Sequence, residues 1–159
     1  MLKQIYVIDL IVRDLDAAVA YGRKIFGCDP KDTSGVGPGV QEFRMAHFVA
    51  PGNGTGLHSV GFFQLTVDDP KTESGKAMKA FLDRNGEGVA TIGFTVEDID
   101  EVQRTMIERG LRFRHPEPQE YQMGRGNELE PAPFGTSFWF AQHNADGYAS
   151  FLELPDLKA

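Results

Sequence analysis

Two stretches of the chain carry the same pattern of apolar and polar positions. The first runs Ile5-Tyr6-Val7-Ile8-Asp9-Leu10-Ile11-Val12 and continues into Arg13-Asp14-Leu15-Asp16. The second runs Val89-Ala90-Thr91-Ile92-Gly93-Phe94-Thr95-Val96 and continues into Glu97-Asp98-Ile99-Asp100. Each is a strand-like run of β-branched and aromatic residues, followed by a helix-like segment that stops near a glycine, Gly27 or Gly110. From Val12 to Val96 the offset is 84 residues, and at that offset Leu15 matches Ile99, Ala18 matches Val102 and Gly22 matches Met106. Two such copies predict a duplicated unit rather than a solenoid, which needs about three or more repeats.

Alternation along the first run places Ile5, Val7, Asp9 and Ile11 on one face and Tyr6, Ile8, Leu10 and Val12 on the other. Both faces are largely apolar, so the strand is expected to be buried on both sides, with Asp9 as the exception. Asp14 or Asp16 is placed to cap the following helix, whose apolar stripe is Leu15, Ala18, Val19, Gly22, Ile25 and Phe26. Residues 28–39 read as a loop, 40–50 and 60–67 as strands, and 51–56 as a Gly-rich turn without the lysine of a phosphate loop. In the 60–67 strand Phe62, Gln64 and Thr66 share a face. A helix is predicted over 73–84, a strand over 89–96, a helix over 99–109 and short strands near 111–115. A long irregular loop is predicted over 116–135, a length typical of a lid or binding loop. A strand over 136–142, a turn at 143–147 and a last strand over 148–154 complete the reading.

Composition narrows the function classes. The 159 residues are 41% hydrophobic, enough for a packed core. A formal net charge of −7 gives no electrostatic support to a nucleic-acid partner. The single cysteine, Cys28, excludes an intrachain disulfide and a sulfur-rich zinc site. No run approaches the ~18 apolar residues of a membrane span, and no signal pattern opens the chain, so a soluble cytoplasmic protein is expected.

The paired apolar-Val-x-Asp-Leu/Ile-Asp openings, Gly86-Glu87-Gly88-Val89 before the second copy, and the closing Phe151-Leu152-Glu153-Leu154-Pro155 together resemble the vicinal oxygen chelate superfamily. That superfamily spans glyoxalases, methylmalonyl-CoA epimerases, extradiol dioxygenases and bleomycin-resistance proteins. Gly-Glu-Gly-Val-Ala-Thr-Ile-Gly-Phe is most similar to the module opening of its methylmalonyl-CoA epimerase-like and 4-hydroxyphenylpyruvate dioxygenase-like branches. The resemblance implies an α+β fold of two βαβββ modules whose strands curl into a half-open barrel. A single domain over 1–159 is expected, with module one at about 1–70, a linking helix at about 73–84 and module two at about 88–155.

The resemblance also implies four inward metal ligands, two in opening strands and two in closing strands. Carried over by position, the closing pair is Gln64 and Glu153, and the opening pair falls on Val7 and Thr91 in place of the usual histidines. Valine has no donor atom and a threonine hydroxyl is a poor transition-metal ligand, so no cofactor is expected unless Asp9, Gln64 and Glu153 rebuild a divalent-metal site. Glu153 reads as a ligand, an acid or base, or the relic of a lost site. Gln64 alternatively satisfies backbone groups, and Asp9 alternatively sits at an edge. His47 and Glu42 are further candidates, and His143 reads as solvated in a tight turn. Phe62, Phe138, Trp139 and Phe151 read as core or as the lining of an apolar ligand pocket. Arg125 reads as solvated or as a partner for a ligand carboxylate or phosphate.

Three functions follow. The first is an isomerase, epimerase or lyase that removes a proton beside a carbonyl of a small acid, thioester or apolar ring compound. Asp9 or Glu153 would be its base, and Gln64 and Thr91 its hydrogen-bond donors. The second is a sequestering protein of the bleomycin-resistance type, and the third a metal-dependent glyoxalase or dioxygenase. A small-molecule ligand and a homodimer are the expected partners, with neither nucleic acid nor membrane.

Overall fold

The computed structural model describes residues 2–35, 40–49, 57–145, 149 and 152–158. Among these the chain forms β1 (Leu2–Ile11), α1 (Leu15–Phe26), β2 (Lys31–Asp32), β3 (Phe43–Val49), β4 (Ser59–Leu65), α2 (Glu73–Asn85), β5 (Gly88–Val96), α3 (Ile99–Glu108), β6 (Gln119–Tyr121), β7 (Gly124–Glu128) and β8 (Ser137–His143). The eight strands make one mixed sheet in the order β2-β3-β4-β1-β5-β8-β7-β6, curled into a half barrel of the α+β glyoxalase-like type.

Each helix begins where a polar side chain satisfies a free N–H of the first turn. Asp14 accepts from Ala17 N at 3.0 Å, Thr72 from Gly75 N at 3.0 Å and Asp98 from Glu101 N at 3.0 Å. Helix α1 ends at Gly27, whose left-handed backbone (φ 67°) lets its N–H reach Arg23 O at 2.9 Å.

The outer face of the sheet carries α1 and α3. Leu15 and Val19 of α1 pack on Ala46, Phe48 and Phe62, and Ile99 and Val102 of α3 pack on Val96, Phe140 and Leu129. Gly22 admits Phe48, which would collide with a Cβ there. The inner face is covered at one end by α2, where Met78 and Phe81 meet Ile11, Phe43 and Met45. Tyr6, Val7, Ala141, Trp139, Tyr121 and Met123 pack at the other.

The two halves repeat their contacts as well as their elements. Gln64 Oε1 accepts from Leu15 N at 3.2 Å, and Gln142 Oε1 accepts from Ile99 N at 3.1 Å. Arg44, opposite Gln64, pairs with Asp16 at 2.8 Å; Arg125, opposite Gln142, pairs with Asp100 at 2.7 Å. Each glutamine thus caps the first turn of its helix, and each arginine anchors an acidic residue of that turn. The halves meet where β1 pairs antiparallel with β5, Ile8 lying opposite Ile92.

Four expectations are corrected. The stretch over 116–135 is not irregular: it holds the β6–β7 hairpin, fixed by Gln119 opposite Gly126 and by the pairing of β7 with β8. Residues 111–115 contribute only an isolated bridge, Phe113 to Leu129. No strand runs over 148–154 among the described residues: Ala149 and Leu152 are helical and Glu153 lies in a turn. Finally, Tyr6 does not alternate away from Val7, because a register shift between Ile5 and Val7 turns both into the same inner cluster.

Asn127 is the most heavily bonded buried polar residue of the second half. Fully buried, it donates to Gln103 Oε1 at 2.9 Å and His115 O at 2.8 Å and accepts from Glu128 N at 2.9 Å. Asn127→Leu keeps the volume and strands those partners, so the folding free energy from urea denaturation should fall by about 3 kcal/mol.

Candidate functional site

Strand register assembles a row of polar side chains across the inner face. His47 lies opposite Gly61, Gly61 beside Asp9, Asp9 opposite Thr91, and Thr91 beside Ser137. The Ser137 hydroxyl donates to Glu128 Oε2, and Glu128 pairs with Arg114 at 2.5 Å. Apolar groups flank the row: Ile11, Phe63 and Met45 on the α2 side, Val7 and Trp139 on the other.

At one end of the row, His47 Nε2 stands 3.2 Å from Asp9 Oδ1, and His47 Nδ1 stands 2.7 Å from Thr33 Oγ1. An ionised carboxylate only accepts, so Nε2 carries the proton shared with Asp9; in the neutral ring Nδ1 accepts from the Thr33 hydroxyl. The imidazole packs edge-on against Phe63, with ring centres 5.5 Å apart. The side chains of His47 and Asp9 are 8% and 17% exposed, so the pair interacts where water screens it poorly. Gly61 makes the pairing possible: a Cβ there would occupy the position of Asp9 Oδ1 and His47 Nε2.

Of the residues singled out in the sequence, the row unites Asp9, Thr91 and His47. Val7 and Trp139 border it. Gln64 does not join it, because its amide is used on the outer side, with Nε2 also donating to Arg13 O at 3.0 Å. The positional counterpart of Gln64 in the second half is therefore Gln142 and not Glu153. Glu153 is exposed in its turn rather than inward on a strand, and Phe151 lies outside the described residues. Phe62 and Phe138 pack against the outer helices. Arg125 is neither solvated alone nor open to an anion, being paired with Asp100 and with Glu120 at 3.2 Å. Glu42 accepts from Lys71 N and Thr72 N, which holds its carboxyl below the usual range and secures the start of α2. Thr33, Ser137, Glu128 and Arg114 were missed. Their signal was a second repeat, Arg44-x-x-His47 against Arg125-x-x-Glu128, hidden by the reading of 116–135 as loop.

The four positions that the resemblance assigns to metal ligands do not make a donor set. Val7 offers no donor, Gln64 serves the helix cap, and Glu153 is exposed. Among the described residues no group of three or more His, Cys, Asp or Glu side chains is arranged to hold a metal ion. Among the described residues, those at these positions do not fit the family metal.

Comparison with known proteins agrees with this geometry at the level of fold. Residues 8–127 match the model of the glyoxalase/bleomycin resistance protein/dioxygenase superfamily, and the chain belongs to that superfamily. No curated protein matches the chain by sequence. Among solved structures, a variant of Streptomyces coelicolor methylmalonyl-CoA epimerase in complex with 2-nitronate-propionyl-CoA is similar with a TM-score of 0.71 and 25% identity, over 91% of this chain and 100% of that one. A methylmalonyl-CoA epimerase in complex with methylmalonyl-CoA and NH4+ gives a TM-score of 0.71 at 25% identity, over 91% and 97% of the two chains. The epimerase of Mycobacterium tuberculosis, at 18% identity and a TM-score of 0.67 over 91% of each chain, shares the fold. The first two of these epimerases are in complex with CoA compounds.

Beyond Val7 and Trp139 the inner face becomes aromatic. Tyr6 meets His143 edge-on at 4.6 Å and Tyr121 meets Trp139 at 5.7 Å. Burial pushes both phenols above their usual pKa, and Asp9 adds to the effect on Tyr6. Burial, with a smaller contribution from His58, lowers His143 to about 4. His143 is thus neutral in the fold, half-buried rather than solvated. The unfolded chain takes up a proton near pH 6.5, where the folded chain does not, so this stability is complete above pH 6.5 and is lost as pH falls toward 4. The loss should reach roughly 3 kcal/mol. His143→Phe should flatten the pH dependence of the urea midpoint between pH 7 and 4.

Proposed function

We propose that the chain is an epimerase-type enzyme that removes a proton from the carbon beside a carbonyl and returns it, with Asp9 as the base. The observation that supports this reading is the poorly hydrated Asp9–His47–Thr33 chain, set on the inner face beside Thr91 and Ser137. A carboxylate held in an apolar strand face at the cost of desolvation is a recurrent feature of acid–base sites.

In this reading His47 Nε2–H holds Asp9 Oδ1, and the Thr33 hydroxyl fixes the ring through Nδ1. Asp9 Oδ2 accepts the proton from carbon, and the bonding pair moves onto the carbonyl oxygen as an enolate. The hydroxyl of Thr91 donates to that oxygen, in the manner of an oxyanion site, while the Ser137 hydroxyl stays donated to Glu128. The carbon is then planar, and Asp9 returns the proton: to the face it left, which restores substrate, or, once the enolate has turned over in the site, to the other face, which gives the epimer. His47 acts as a positioning residue that keeps Asp9 oriented and supports its change of charge. The epimerases of similar fold hold acyl-CoA compounds, which makes 2-substituted acyl thioesters, methylmalonyl-CoA first, the substrates to try.

The test is exchange of the proton at carbon 2 with D2O, followed by NMR. The wild-type chain should catalyse exchange with at least one 2-substituted acyl thioester. Asp9→Asn should lower the rate by more than ~100-fold while leaving thioester affinity within a few fold. Binding without exchange in the wild type would instead make the chain a sequestering protein. In the same assay Gly61→Ala should act like a partial loss of Asp9, because the added methyl forces the carboxylate and imidazole apart.

A further inference from the structure

The aromatic end of the inner face contains polar atoms that have no partner. Thr95 Oγ1, Tyr121 Oη and His143 Nε2 are all buried and make no hydrogen bond. Thr95 as a whole is 93% buried, at 7% exposure. The Tyr6 and Tyr121 hydroxyls and the Trp139 indole come close enough to act on the ionisation of the two phenols, yet Tyr121 Oη meets no partner in hydrogen-bond geometry. Leaving a hydroxyl or an imidazole N–H buried and unpaired is destabilising. Three in one region call for a partner that satisfies them.

Register brings them together. Tyr121 lies opposite Gly124, and Gly124 opposite His143; in the next row Thr95 lies beside Ala141, and Ala141 opposite Gly126. Two glycines and an alanine thus underlie the three polar side chains. The rings meet above them, Tyr121 and His143 at 6.4 Å and Tyr6 and His143 at 4.6 Å. The β6–β7 hairpin brings Tyr121 and Met123 onto this end of the sheet. The three groups can all donate, since a phenol, a threonine hydroxyl and a neutral imidazole each carry a polar hydrogen. None carries a positive charge, so an uncharged acceptor suits them better than an anion, whose burial without a counter-charge is costly.

We propose that Thr95, Tyr121 and His143 form a second ligand site that takes an uncharged carbonyl oxygen beneath the β6–β7 hairpin. Thr95 lies four positions beyond Thr91 on β5, roughly 13 Å along an extended strand. The site therefore holds an oxygen remote from the carbon that Asp9 would attack. Two sources share this chemistry: a second carbonyl of the substrate itself, or a separate small carbonyl compound.

The probe is acetophenone, whose binding to the full chain is followed by calorimetry and whose carbonyl stretch falls in frequency as it accepts hydrogen bonds. Saturable binding is expected, weakened at least 5-fold in both Tyr121→Phe and Thr95→Val, with the stretch moving up in each. These substitutions remove one hydroxyl and keep the shape, and circular dichroism checks that the fold is retained. No saturable binding to the wild type overturns the proposal, as does unchanged affinity in both variants. So does a crystal soaked with the probe in which ordered water alone satisfies the three atoms. Asp9→Asn, which should stop proton exchange, should leave acetophenone binding within 2-fold, so the site is judged even if the epimerase reading fails. Where exchange is observed, a raised KM with unchanged kcat in Tyr121→Phe marks a second carbonyl of the substrate. Unchanged kinetics with acetophenone still bound marks a separate compound.

Discussion

The antiparallel pairing of β1 with β5 holds the molecule together as one sheet. Each half alone is a four-stranded sheet with a helix on its outer face and an edge strand, β1 or β5, that would present unpaired N–H and C=O groups. Joining those edges, with Ile8 opposite Ile92, removes both at once and sets Asp9 directly opposite Thr91. Everything polar on the inner face takes its position from this register. A slip of one residue would turn Asp9 toward the outer helices and Leu10 toward the inner face.

Within that frame the two halves have kept their outer contacts and diverged on their inner ones. The glutamine cap and the arginine–aspartate pair recur in both halves, because each helix start needs the same N–H groups satisfied. On the inner face His47 corresponds to Glu128 and Gly61 to Trp139, so only the first half has room for an imidazole–carboxylate pair. The second half fills the same space with indole and phenol rings. The asymmetry gives the inner face a polar row bordered on one side by aliphatic and phenyl groups and on the other by buried phenols.

The duplicated openings, the three helices and the cap of the first were legible in the sequence because they rest on local rules: alternation, 3.6-residue periodicity and an aspartate before the helix. Asp9 was legible as a charge in an apolar run. The rest depended on pairing between distant strands. Gln64 looks like an inward ligand from its neighbours alone, and only the position of Leu15 N shows that its amide belongs to the helix. Glu153 was placed by its resemblance to a closing strand, whereas β8, the strand beside β5, comes from Ser137–His143. The β6–β7 hairpin is hidden in the sequence because Gly124 and Gly126 read as loop residues, although at Gly126 the Trp139 indole fills the space that a Cβ would take.

The proposed acid–base site of Asp9, His47 and Thr91 has no step that needs the superfamily metal, and among the described residues the inner face offers that metal no closed set of donors. The direct test is a stoichiometric titration of the chelator-treated protein with Mn, Co, Ni and Zn ions, with proton exchange measured at each addition. The polar row predicts exchange that survives chelation and does not rise in proportion to metal. One tightly held ion per chain, whose removal stops exchange and whose return restores it, would contradict it and place the chemistry on a metal centre.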